Sequence, residues 1–126
     1  MDELNIGQEM IRLFAICLTL FAFAGCLRSE CSNEPIAEVI SPDGTKKIEL
    51  FSRNCGATTG SNTQGTVLIR GDSLPNEPGS AFVVDGGSAK ISWAGDSRIV
   101  VTLERGARAF KKETSDKGVK IEYQSK

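Results

Sequence analysis

A chain of 126 residues with 15 Lys and Arg against 16 Asp and Glu, no histidine and four cysteines has room for one small domain. Its near-neutral balance gives no argument from composition for nucleic acid or for an anionic membrane patch. The lack of histidine leaves general-base work to carboxylates and lysines, and these acids are scattered singly with no paired motif.

The first informative element is Leu13 to Ala24, twelve uncharged and mostly apolar residues. That is short of the roughly 20 a transmembrane helix needs, but it fits the roughly 7–15 residue apolar region of a secretory signal. Phe23-Ala24-Gly25-Cys26 follows at once and resembles the lipobox of bacterial lipoproteins, with Phe23 where leucine is usual. The resemblance implies that Cys26 is acylated and becomes the new N-terminus, a membrane anchor. Met1 to Glu9 carries three acids and no base, whereas Met10-Ile11-Arg12-Leu13 opens like an ordinary basic signal, so translation is expected to start at Met10. The expected organisation is a signal helix over 1–25, a lipidated tether over 26–35 and an all-β domain over 36–126. Cleavage before Cys26 leaves 14 bases and 13 acids, a net charge of +1. Leu27, rather than aspartate, follows the acylated cysteine; by analogy with lipoproteins this favours the outer membrane, facing the periplasm, in a host with two membranes.

Cys17 leaves with the signal and Cys26 takes the lipid, so Cys31 and Cys55 remain as an even pair in an oxidising compartment. A disulfide is the expectation. The alternatives are a reactive thiol, which would want a histidine or another base, and a metal site, which would want more ligands than two thiols twenty-four residues apart. No metal or other cofactor is expected.

Strands begin at about Ile36. Ile36 to Ile40 and Lys46 to Phe51 flank Ser41-Pro42-Asp43-Gly44, whose proline and glycine mark a hairpin turn, and alternation places Ile48 and Leu50 on one buried face. Gly65 to Arg70 reads as a third strand, and Gly71 to Gly79, with two prolines and two glycines, as a loop. Ala81 to Asp85, Ala89 to Trp93 and Arg98 to Leu103 follow; the continuous apolar run of the last predicts the most buried strand. Ala107 to Phe110 and Gly118 to Tyr123 close the domain. Without any sustained 3.6-residue period after Cys26, seven to eight short strands predict a small antiparallel sandwich or barrel.

Between the second and third strands, Ser52 to Gln64 has no apolar periodicity and is crowded with small polar residues around Cys55. Such a run suits a pinned bulge whose hydroxyls satisfy the backbone locally. Within it, Thr58 to Thr63 is the best candidate recognition surface, with Asn54, Thr58, Thr59, Ser61, Asn62 and Thr63 as its side chains, because binding residues concentrate on loops held by rigid scaffolds. Without concentrated charge, its expected partner is a glycan or the edge of an envelope protein. Asp85 before Gly86-Gly87 reads as a turn, Lys111-Lys112 as a charged sheet edge and Trp93 as packing.

Asn54-Cys55-Gly56-Ala57-Thr58-Thr59-Gly60, with Ser41-Pro42-Asp43-Gly44 before it and Gly106 to Lys112 after it, resembles a family of small bacterial lipoproteins of uncharacterised function. The resemblance spans about Ile36 to Tyr123 and implies an export-compartment domain without implying a reaction. Gly106-Ala107-Arg108 followed by Lys117-Gly118 is similar to the periplasmic inhibitors of C-type lysozyme, small disulfide-bonded β-barrel lipoproteins. Their aromatic cluster is replaced here by Thr114-Ser115-Asp116. The expected role is therefore an envelope binding or structural module, with lysozyme inhibition as the alternative and no catalysis.

Overall fold

The computed structural model describes residues 30–56 and 59–126. The signal segment, Cys26 and Thr58 lie outside the described residues. Nine strands form the domain: β1 Ser32–Ile40, β2 Lys46–Asn54, β3 Asn62–Ile69, β4 Phe82–Asp85, β5 Ala89–Trp93, β6 Arg98–Leu103, β7 Arg108–Lys112, β8 Ser115–Asp116 and β9 Val119–Ser125. They pair as a five-stranded sheet in the order β1-β2-β3-β4-β7 and a four-stranded sheet in the order β5-β6-β9-β8. The all-β sandwich expected from the pattern of short strands is the fold.

Local chemistry sets the first hairpin. Gly44 takes φ 75°, the left-handed position of the turn. The Asp43 carboxylate accepts from the hydroxyls of Ser41 and Thr45, at 2.7 and 2.9 Å, and from the Thr45 amide at 3.1 Å. These bonds, led by that from Ser41, hold the Asp43 carboxyl below the usual aspartate range.

Ile48, Leu50, Val67, Ala81, Phe82 and Val84 from the first sheet meet Ile99, Val101, Leu103, Val119 and Ile121 from the second. This shared layer is the core, and it stacks the two sheets face to face. Trp93 packs half-buried against it and donates its indole N–H to the Val39 carbonyl at 3.0 Å, a packing role that ties β5 to β1.

Four features depart from the sequence-based expectation. β1 begins at Ser32, inside the expected tether, because it pairs with β2 from Ser32↔Asn54 onward. β8 is an extra strand of only two residues, too short to leave a pattern. β6 and β9 pair in parallel, Arg98↔Lys120 through Leu103↔Ser125, so the second sheet is mixed rather than antiparallel. Finally, β6 is buried on one face only, alternating along Arg98–Leu103, whereas Lys47 to Phe51 in β2 and Gln64 to Leu68 in β3 are buried continuously.

The reason lies in Gly71 to Ser80. Outward-facing residues of β2 and β3 need a cover, and this loop is bonded onto them. The Gly79 amide donates to Gln64 Oε1 at 2.8 Å and the Ser80 amide to Thr66 Oγ1 at 3.2 Å. Asn33 Nδ2 reaches the carbonyls of Pro75 and Glu77, at 3.0 and 2.8 Å. On the same face polar residues sit buried with partners: Lys47 Nζ lies 2.9 Å from Glu49 Oε1 and 3.5 Å from Glu38 Oε1. The hydrogen bond to Glu49 and the two carboxylate charges raise the Lys47 pKa against the cost of burial.

The β8–β9 turn clasps the other flank of β3. Beyond the start of β4, the Val67 amide donates to Asp116 Oδ2 at 3.3 Å, and Lys117 Nζ donates to the Val67 carbonyl at 2.6 Å. Asp116 also accepts from the Ser80 hydroxyl at 2.5 Å. Two side chains thus stand in for a missing strand partner and fasten one sheet to the other.

Candidate functional site at the disulfide end

Cys31 and Cys55 form a disulfide across a sequence separation of 24. It joins the start of β1 to the exit of β2 and bears out the expected pairing. Around it the polar run is largely turned inward on the backbone. Asn54 Oδ1 accepts from the Gly56 amide and Thr59 Oγ1 from the Cys55 amide, both at 3.0 Å. Asn62 is fully engaged: Oδ1 accepts from the Arg53 amide at 2.8 Å and from Gln64 Nε2 at 3.1 Å, while Nδ2 donates to the carbonyls of Arg53 and Gly60. Thr63 donates its hydroxyl to the Gly87 carbonyl at 3.2 Å. Asn54, Thr59, Asn62 and Thr63 therefore build the loop, as hydroxyls and amides do where a bulge leaves the ladder open. Ser61 is exposed, and its carbonyl accepts from the Gly86 amide at 3.4 Å.

Beside this scaffold, on the outward face of the first sheet, is a shallow hollow lined by Arg53, Thr59, Asn62, Gln64, Asp85 and Phe110, among others. The strand ladder explains its composition. Asn62 pairs with Asp85 across β3 and β4, and Gln64 with Val83, which puts these side chains on one face. Arg53 projects from β2 on the same side, where its guanidinium Nη1 is fixed by Asn33 Oδ1 at 2.8 Å and Asn76 Oδ1 at 3.0 Å. Asn76 in turn donates to the Cys31 carbonyl at 2.9 Å, so the disulfide and the loop cover brace the arginine together.

Phe110 arrives by a different device. Val84 pairs with Ala109 and Val83 with Lys111, which leaves Phe110 as an extra residue bulged out of the β4–β7 ladder. Its ring is 64 % exposed, an unusual state for a phenylalanine, and the Arg108 guanidinium lies 5.5 Å from its centroid. Polar donors and acceptors with an exposed aromatic face form a surface suited to a ligand carrying both hydroxyls and a flat apolar side.

Of the residues expected at the site, Thr59 and Asn62 line this hollow, whereas Thr63 turns away to Gly87. Asn54 and Ser61 belong to a neighbouring hollow with Glu34, Ser52, Arg53 and Gly56. Arg53, Gln64, Val83 and Phe110 were not singled out by sequence reasoning. An aromatic residue set among the charges of the short Arg108–Lys112 strand was the available signal for Phe110. Asp85 ends β4 before Gly86 at φ 70°, as its turn reading expects, and it also borders the hollow. The charged edge is real: β7, with Lys111 and Lys112, is the outermost strand of its sheet.

The two segments on which the expected likeness to lysozyme inhibitors rests stand apart. Arg108 is level with Asn62 through Asp85, while the Lys117 ammonium is bonded to Val67 farther along β3. Comparison of the chain with protein-family models, with curated proteins and with solved structures gave no match.

Proposed function

We propose that the protein is an exported, lipid-anchored envelope protein, held in the membrane through acylated Cys26, whose sandwich works by binding rather than by catalysis. The Cys31–Cys55 bridge supports an oxidising compartment and leaves Cys26 for the lipid. The observation that carries the binding role is the bulge that turns Phe110 outward beside a hollow of braced polar groups. The ligand class that fits is an envelope glycan, whose ring stacks on Phe110 and whose hydroxyls meet Arg53 and Asp85.

Two measurements test this. The intact mass of the protein purified from host membranes, before and after reduction and alkylation, should start at acylated Cys26, with Cys31 and Cys55 alkylated only after reduction. A chain retaining Met1 or Met10 with freely alkylated thiols overturns the anchor. For the site, the membrane-anchored full chain should capture solubilised envelope glycan, and Phe110→Ala should weaken capture about tenfold, the loss of one stacked ring. Equal capture by both chains removes Phe110 from the site. Capture of a C-type lysozyme in its place would assign the inhibitor role.

A further inference from the structure

A second hollow of about 340 Å³ opens where β5, β6 and the end of β9 meet, lined by Ser88, Lys90, Thr102, Leu103, Glu104, Arg105 and Lys126. Its walls are fixed by backbone bonds: the Glu104 amide donates to the Ser88 carbonyl and the Lys126 amide to the Leu103 carbonyl, both at 3.0 Å. Three of the lining residues are cations. The ion pairs among the described residues are Lys47 with Glu38 and Glu49, and Arg98 with Glu122, so Lys90, Arg105 and Lys126 have no carboxylate within salt-bridge distance there.

The one acidic side chain in the hollow is already engaged. Glu104 Oε2 accepts from the Ser88 amide at 2.9 Å and from the Ser88 hydroxyl at 3.1 Å, bonds that also hold its carboxyl below the usual glutamate range. Thr102 Oγ1 accepts from Gln124 Nε2 at 2.8 Å, which leaves its hydroxyl proton to donate. Three cations without a carboxylate partner and a free hydroxyl donor around one hollow suit a tetrahedral oxyanion, since charge-assisted bonds to several donors are the strong ones.

Its place in the fold suggests where that anion would come from. Gly86-Gly87-Ser88 leads directly from the disulfide end, where Gly86 is bonded to Ser61 and Gly87 to Thr63. β6 and β9 run in parallel and both finish at this end, at Leu103 and Ser125. The hollow and the Cys31–Cys55 bridge therefore share one end of the sandwich. Only four residues of the sequence stand between Cys26 and Cys31.

We infer that this hollow is a binding site for a phosphate group, carried by an anionic lipid headgroup or by a soluble phosphate. The headgroup source rests on the lipid anchor proposed above; the phosphate chemistry does not.

The test uses the full chain, isotopically labelled. In detergent it is titrated with inorganic phosphate, and the amide signals of Lys90, Thr102, Arg105 and Lys126 are followed by NMR. The chain is then placed in nanodiscs of phosphatidylcholine alone and of phosphatidylcholine with phosphatidylglycerol. The expected result is a saturable shift of these four amides that weakens with salt. It should also weaken by about tenfold or more in the combined Lys90→Gln, Arg105→Gln and Lys126→Gln variant. The same shifts in anionic but not neutral discs assign the lipid source; shifts with phosphate alone assign a soluble one. Non-saturable shifts in both arms, or shifts the variant leaves unchanged, overturn the site. A chain that fails to enter discs but still shifts with phosphate counts against the anchor and leaves the site standing.

Discussion

Gly65 shows how far one residue can be constrained without a special backbone angle. A Cβ there would clash with the edge of the Phe82 ring, 2.7 Å from Cζ, and Phe82 is fully buried. Gly65→Ala is expected to cost about 1–3 kcal/mol, the range for an overpacked core, read as a lower urea midpoint at unchanged slope. Phe82 also meets Tyr123 edge to face at 6.5 Å. The Tyr123 hydroxyl lies between the carbonyls of Ala81 and Glu113, at 3.2 and 2.7 Å. Burial, then the charges of Glu113 and Asp116, push its phenol up to about 12 from an ordinary 10.0. Tyr123 is the only tyrosine, so absorbance near the tyrosinate band reads it directly. The native protein should show no tyrosinate until the pH nears 12, and the unfolded chain should ionise about two units earlier. Because the folded value is the higher, the stability this group contributes is complete below pH 10 and is lost as pH rises from 10 toward 12.

At the scale of elements, the clasp on β3 makes its own prediction. Asp116→Ala strips an acceptor from the Val67 amide and the Ser80 hydroxyl together, which should cost about 1–3 kcal/mol and speed exchange of the Val67 amide before that of the core. Nothing in Ser115-Asp116-Lys117 announces this, because its partners lie 36 and 49 residues away. The hairpin at Ser41 to Gly44 was legible for the opposite reason: every bond that forms it is made within five residues. The same contrast governs burial. Alternation in β2 correctly placed Ile48 and Leu50 inside, but Lys47, Glu49 and Phe51 are buried too, on the face where a loop some thirty residues downstream is bonded to β3. In β6 the apolar run gave no warning that its other face is open. Val100 and Thr102 are half-exposed there, and valine serves a pleated surface as well as an interior. At the candidate site, Thr59 and Asn62 were visible as loop residues. Phe110 was not, since a bulge is a property of two strands and only one of them was in view.

For the whole molecule, the bridge is the main covalent reinforcement of a domain short of core. Replacing Cys31 and Cys55 together by serine should lower stability by about 3 kcal/mol, measured by urea unfolding, with the loss originating in the freedom regained by the unfolded chain. β1 is the element expected to loosen first, because it is an edge strand whose side chains are mostly exposed. Amides from Ser32 to Ile40 should therefore exchange faster in the serine variant than those of β3.

β9 sits between β6 and β8, and it supplies Val119 and Ile121 to the shared core. The order of synthesis gives this a consequence. Strands β1 to β4 can pair as they emerge, but β6 must wait with one flank open until residues up to Ser125 have followed. A chain threaded N-terminus first through a translocation channel thus stays unfinished until its last strand is through. Under the export proposed above, the late strand would act as a latch: the polypeptide stays threadable during passage, and the sandwich shuts only on the far side.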